Sequence, residues 1–211
     1  MRKGNEEKRN QIIESAIEIF ANQGYYRASI KNITDKARIS LGTFYLYFKG
    51  KDDVVLAIFV LLHERLYSQI QEKAKERYDS GLSRFVACTC FLYKKFIENK
   101  ELTTILVTRT IAISRTAEEE YFSLFRKMCS FFANLMNDIE TVNFKNRELA
   151  SSLFVQGIGT QAVLLISFDE KEKIQNALYD LIVYHLRALS VEFSEEYLKK
   201  IIKINMEDQN Y

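Results

Sequence analysis

Apolar residues recur at three- and four-residue spacing along most of the chain, which is the period of a helix with one buried face. Ile12, Ile13, Ala16, Ile19 and Phe20 form such a stripe and predict a first helix over residues 6–22. Gly24 follows the last periodic residue as a stop, and Ser29 supplies an N-cap for the next helix. Ile30, Ile33 and Ala37 predict a second helix of barely two turns, over residues 30–37. A short break, Arg38-Ile39-Ser40, ends in another N-cap, and a third helix is expected over 41–48. Asp52 and Asp53 then sit in the first turn of a long fourth helix, 52–77, where acids suit the helix dipole. Further helices read as 82–98, 101–113, 117–139, 147–168, 172–191 and 195–205. The prediction is an all-α chain of nine to ten helices. A three-helix module (1–50, with the two-helix element over about 29–48) precedes a larger helical body (51–211).

Proline is absent and there are only 7 glycines, which favours long helices joined by short polar turns. Strict apolar–polar alternation is rare, so strands find little support. No run of some 18 residues is continuously apolar and uncharged, so no membrane span is expected. Residues 1–9 are charged and lead into an amphipathic segment, unlike a secretory leader. These features suggest a cytoplasmic protein.

Two short helices joined by a three-residue break have the geometry of a helix-turn-helix, whose second helix enters the DNA major groove. The string from Ser40 to Lys51 is SLGTFYLYFKGK. Phe44 and Phe48 are four apart and pin this helix to the first stripe. The other face carries Gly42, Thr43, Tyr45 and Tyr47, a small, hydroxylated and aromatic surface. Glycine allows close approach, threonine can touch a base edge or a thymine methyl, and tyrosine hydroxyls can hold phosphates. Helix starts at Ser29 and Lys31, Ser40 and Leu41, and Lys51 offer backbone N–H groups suited to phosphate.

Charge supports this assignment. Residues 1–51 hold ten Lys/Arg against five acids, a net of +5, which leaves −3 for the rest of a chain whose total is +2. A basic module on a mildly acidic body suits a polyanion.

The remaining chemistry is sparse. Cys88 and Cys90 are two apart, about 200° around a helix, and cannot serve one metal from one face. With Cys129 they read as thiols in a reducing compartment. His63 and His185 lack a paired ligand at metal spacing, and no catalytic motif is present. No cofactor, metal or enzymatic activity is expected. The body is rich in aromatics, most of which must be core. Some are candidates for an apolar pocket between helices. The candidate lining is Thr89, Tyr93, Thr108, Arg109, Phe125, Arg126, Phe154 and Gln156, taking a small effector such as an acyl chain with an anionic end or a hydrophobic toxic compound.

Gly24-Tyr25, Ser29-Ile30, Ile33, Ala37, Ile39-Ser40, Gly42-Thr43, Tyr45, Tyr47-Phe48 and Lys51 fall in an order and spacing that resembles the TetR-type repressors. The likeness begins at Phe20. Two departures stand out. Thr34 occupies a packed position where the family usually has Ala. Arg38 occupies the turn where it usually has Gly, and a left-handed conformation there is costly for Arg.

The resemblance implies a transcriptional regulator, usually a repressor, binding a palindromic operator as a homodimer and released by a small molecule. It further implies dimer contacts from the last two long helices, with Gly157, Gln161, Leu164, Leu181 and His185 as candidates. The DNA-binding set is Ser29, Lys31, Arg38, Ser40, Leu41, Gly42, Thr43, Tyr45, Tyr47 and Lys51. Two other functions stay open. One is an inducer-independent structural or division factor on the same fold. The other is a helical ligand-binding protein or enzyme that does not bind DNA.

Overall fold

A computed structural model describes residues 2–109, 115–140, 146–168 and 170–207. Among the described residues there are ten α-helices and no strand. They are α1 (Arg2–Arg27), α2 (Ile30–Lys36), α3 (Leu41–Tyr45), α4 (Lys51–Ala74), α5 (Gly81–Glu98), α6 (Lys100–Arg109), α7 (Arg115–Asn137), α8 (Arg147–Ile166), α9 (Lys171–Ala188) and α10 (Glu195–Glu207). The expected all-α architecture is therefore observed, with two instructive differences in element length. Helix α1 starts near the beginning of the chain and continues to Arg27, although Gly24 at φ 73° breaks its course. Helix α3 ends at Tyr45, before the expected Phe48. Leu46 and Tyr47 instead close a tighter turn, donating N–H to the Thr43 and Phe44 carbonyls three residues back.

The chain divides into two compact units. The first gathers α1–α3, the start of α4 and, from much later in the sequence, α6. The compact unit thus reaches beyond residue 50. Its core joins Ile12, Ala16 and Phe20 of α1 to Ile33, Phe44, Phe48, Val54 and Ile58, with Leu102 and Ile105 from α6.

The turn between α2 and α3 follows from its backbone accounting. Ile39 N–H bonds to Thr34 O at 3.0 Å and Arg38 N–H to Asp35 O at 3.2 Å, the paired bonds of a Schellman termination. That closure needs a left-handed residue, and Arg38 supplies it at φ 50°. The strain that Arg makes costly is therefore tolerated here. Thr34, the other departure, is buried but donates its hydroxyl to Lys31 O at 3.0 Å, so no polar group is stranded.

The second unit holds the later part of α4, α5, α7 from Phe122 onward, α8, α9 and α10. Its core is aromatic at the centre: Phe85, Phe132 and Phe154 meet with ring centroids 4.8–5.8 Å apart. Gly81 opens α5 where a Cβ would lie 1.9 Å from the Asp138 carbonyl oxygen, so no larger residue fits without backbone movement. Three residues on, Arg84 pairs with the Asp138 carboxylate at 2.9 Å.

Helix α8 is long and apolar enough to cross a membrane by length and composition alone. Arg147–Ile166 reaches a mean hydropathy of 1.6 over 18 residues. In the fold it places Phe154, Ile158, Ala162 and Leu165 in the core of the second unit, while Leu149, Leu153 and Leu164 are exposed.

Candidate nucleic-acid interface

Helices α2 and α3 hold their starts with the side chains expected. Ser29 Oγ accepts from Asn32 N at 3.0 Å, and Asn32 Oδ1 accepts from Ser29 N at 2.9 Å. This reciprocal pair leaves the start of α2 rigid. Ser40 Oγ accepts from Thr43 N at 3.0 Å and lies 2.8 Å from Thr43 Oγ1. Phe44 is fully buried and Phe48 nearly so, which fixes the orientation of α3.

With those anchors inside, the outer surface follows. Ser29, Lys31, Arg38, Ser40, Leu41, Gly42 and Tyr45 are exposed; Thr43, Tyr47 and Lys51 are half-buried. Tyr45 is 53% exposed and Leu46, next to it, 82%. Leu46 escaped the sequence reading. Its offset of two residues from Phe44, about 200° around a helix, was the signal that it faces away from the core. Gly42 has open space in front of it: a Cβ there would meet only Ser40 Oγ at 3.7 Å. The glycine is not demanded by the fold.

Two of the expected DNA contacts have partners within the protein. Lys51 Nζ donates to Tyr25 O at 2.9 Å and Ala28 O at 2.8 Å, and lies 4.3 Å from the Tyr25 ring centroid. Its ammonium caps the end of α1. Tyr47 Oη donates to Asn5 Oδ1 at 2.5 Å.

In the second unit, the candidate pocket residues differ in burial. Thr89 is buried and donates its hydroxyl to Phe85 O within its own helix. Phe154 packs in the aromatic core, and Tyr93 is buried beside it in the same core. Arg126 and Gln156 are exposed and Phe125 is half-buried. Gln156 is two residues beyond Phe154 and so points from the opposite side of α8. The side chains of Thr108 and Arg109 lie outside the described residues.

The structure does assemble an interior polar group that the sequence did not mark as one. Gln161 Oε1 accepts from Tyr93 Oη at 2.5 Å and lies 3.1 Å from His185 Nε2. His185 meets the Phe154 ring edge-on at 4.8 Å. Burial lowers the His185 pKa to about 4, so its imidazole is neutral near pH 7, and burial pushes the Tyr93 hydroxyl up. Gln161 and His185, expected at a dimer contact, thus bond to one another inside their own unit. Leu181 is half-buried, and Leu164 faces outward at 54% exposure. Burial also pushes the free thiols of Cys88 and Cys90 up to about 12 and that of Cys129 to about 11. At neutral pH they are protonated.

Residues 12–58 match the family described as bacterial regulatory proteins, tetR family. The matched segment is a TetR-type helix-turn-helix module. The matched segment begins at the first buried residue of α1 and ends in α4, so it takes in every residue of the interface described above except Asn5.

Among relatives, this chain is 34% identical over 67 residues to the fatty acid metabolism regulator protein of Bacillus subtilis, covering 32% of this chain and 34% of that protein. Matches of this kind span about a third to a half of the curated relatives' length: 34%, 34% and 45% for three of them. Solved structures share the fold across nearly the whole length. The fatty acid degradation regulator FadR of Bacillus halodurans superimposes with a TM-score of 0.69 at 20% identity, covering 88% of this chain and 97% of that one. FadR of Bacillus subtilis in complex with stearoyl-CoA gives 0.62 at 18% identity, covering 91% and 96%.

Proposed function

We propose that this protein is a ligand-responsive transcriptional repressor that binds a palindromic operator as a homodimer. The observation that carries the reading is the outer surface of α3. Buried Phe44 and Phe48 orient it, Ser40 caps it, and it presents Gly42, Thr43, Tyr45 and Leu46 in one exposed or partly exposed patch. A soluble surface gains nothing from this composition unless another surface covers it. The net +5 of residues 1–51 names a polyanion as that surface. The reading places the protein in the cytoplasm and assigns it no catalytic role.

Ser29, Lys31, Arg38, Ser40, Leu41 and Tyr45 are proposed as phosphate and groove-wall contacts, and Gly42 and Thr43 as the base-facing pair. Gel-shift titrations against selected operator fragments test this. Thr43→Ala is expected to change sequence preference, whereas Tyr45→Ala weakens all sequences alike. Full binding by a Tyr45→Ala, Lys31→Ala double variant would overturn the DNA reading.

A second copy is the proposed cover for the outer faces of α8 and α9. Leu153 is 61% exposed and Tyr184 65%, and Leu149 and Leu164 continue the α8 stripe. Apolar surface in such a run favours burial against another copy. In the dimer the two α3 helices would sit about one DNA turn (roughly 34–36 Å) apart. Leu153→Glu with Leu164→Glu is expected to give monomer by light scattering. A persistent dimer refutes this face.

The proposed effector is an apolar chain with an anionic end, of the acyl-CoA type. Support comes from the aromatic interior of the second unit and from the stearoyl-CoA bound by the similar FadR of Bacillus subtilis. Such a ligand releases DNA only by preferring the non-binding conformation. Stearoyl-CoA is expected to raise the melting temperature and free CoA to leave it unchanged. An unchanged melting temperature with both removes the acyl-CoA proposal.

A further inference from the structure

Helix α1 begins ten residues before its first buried core residue, Ile12, and residues 4–11 contribute nothing to the core. Exposed first turns with no tertiary contact fray, because helix stability in proteins comes from packing. Here three side chains hold the stretch against the helix-turn-helix. Asn5 Oδ1 accepts from Tyr47 Oη at 2.5 Å. The Arg9 guanidinium lies 5.4 Å from the Phe48 ring centroid. Gln11 Nε2 donates to Ala37 O, in the turn before α3, at 2.9 Å.

The charges on these turns are sorted by face. At 100° per residue, Lys8 and Arg9 lie within about 60° of Asn5. They share the side of α1 that meets the end of α3. Glu6 and Glu7 lie about 100° and 200° away and turn off that side. Arg9 is exposed and Lys8 half-buried. The segment also precedes the family match, which starts at residue 12.

We infer that the first turns of α1 form a second DNA contact, with Lys8 and Arg9 on backbone phosphates beside the groove that α3 enters. The Asn5–Tyr47 hydrogen bond holds them there. Tyr47 is then a positioning residue that acts through Asn5. The inference rests on the proposed DNA reading and adds a phosphate-only footprint to it: affinity without base preference.

The test is the salt dependence of operator binding by the full-length protein. Each phosphate contact contributes about 0.9 to the slope of log K against log salt. Lys8→Ala with Arg9→Ala is expected to lower the slope by about 1.8, to reduce affinity at least tenfold near 50 mM salt, and to keep the order of preference among operator variants. Asn5→Ala and Tyr47→Phe should each lower the slope, and together no further than either alone, because they remove the same bond. Thermal melts of the free variants check that the fold is intact. An unchanged slope in the Lys8/Arg9 variant, with steep binding by the parent, overturns this inference and leaves the DNA reading standing. Weak, salt-insensitive binding by the parent overturns the DNA reading itself.

Discussion

Lys51 and Tyr25 are joined twice: the ammonium donates to the Tyr25 carbonyl at 2.9 Å and sits 4.3 Å from the centroid of its ring. Tyr25 Oη in turn donates to Asp52 Oδ1 at 2.5 Å. The first residues of α4 and the last turn of α1 therefore clasp each other, just after the left-handed Gly24. A cation at a helix C-terminus satisfies carbonyls that the helix leaves open.

Lys51→Met is accordingly expected to destabilise the free protein, by about 1–2 kcal/mol for two charge-assisted bonds at a half-buried site. Urea unfolding without DNA measures it. A purely DNA-facing lysine would leave the urea midpoint unchanged, so the measurement separates a clasp from a phosphate contact.

Arg38 stores strain that a glycine would relieve. An L-residue in the left-handed region costs about 1–2 kcal/mol, part of which glycine returns through its freer unfolded state. Arg38→Gly is expected to stabilise the protein by about 1 kcal/mol while lowering the salt slope of DNA binding by up to about 1. A stabilised variant with an unchanged slope would show that the side chain does not touch phosphate. A destabilised variant would show that it has a partner in the fold.

The fold was legible wherever one face of a helix is buried. Ile12, Ala16 and Phe20 repeat at helical spacing because they share one core, and Ser29 and Ser40 mark helix starts because open N–H groups need acceptors. The candidate interface was legible for the same reason: Phe44 and Phe48, four apart, fix which face of α3 is buried. What stayed hidden depends on long-range pairing. Nothing local to Lys51 says that its ammonium ends on carbonyls 23 and 26 residues earlier. Nothing near Tyr47 announces Asn5, 42 residues away. Gln161 and His185 are dimer-contact candidates in the sequence because the resemblance places such contacts on these helices, and no local pattern pairs them with Tyr93. Half-buried Gln161 supplies the acceptor that lets Tyr93 and His185 be buried.

Gly42 separates what the fold needs from what a partner needs. Its backbone is ordinary helix, and a Cβ has room beside Ser40 Oγ. Alanine is the better helix former by up to about 1 kcal/mol. Gly42→Ala is therefore expected to raise the melting temperature slightly and to cut DNA affinity at least tenfold, by holding the backbone off the groove. Unchanged affinity would mean that α3 does not approach the bases at Gly42.

His185 gives the second unit a pH dependence of definite sign. In the unfolded chain its imidazole takes a proton near pH 6.5; in the fold it does so only at about 4, because burial beside Phe154 disfavours the charge. Between those values the unfolded state binds more protons, so stability is fully present above pH 6.5 and is lost as the pH falls towards 4. The loss from this one residue amounts to about 3 kcal/mol when complete. His63, also lowered to about 4, acts in the same direction. His185→Asn should therefore flatten only part of the decline. Urea midpoints measured at about pH 7.5 and about pH 5 are expected to fall further in the parent than in the variant. Equal declines would mean that His185 remains open to water and protonates in the fold as readily as in the unfolded chain.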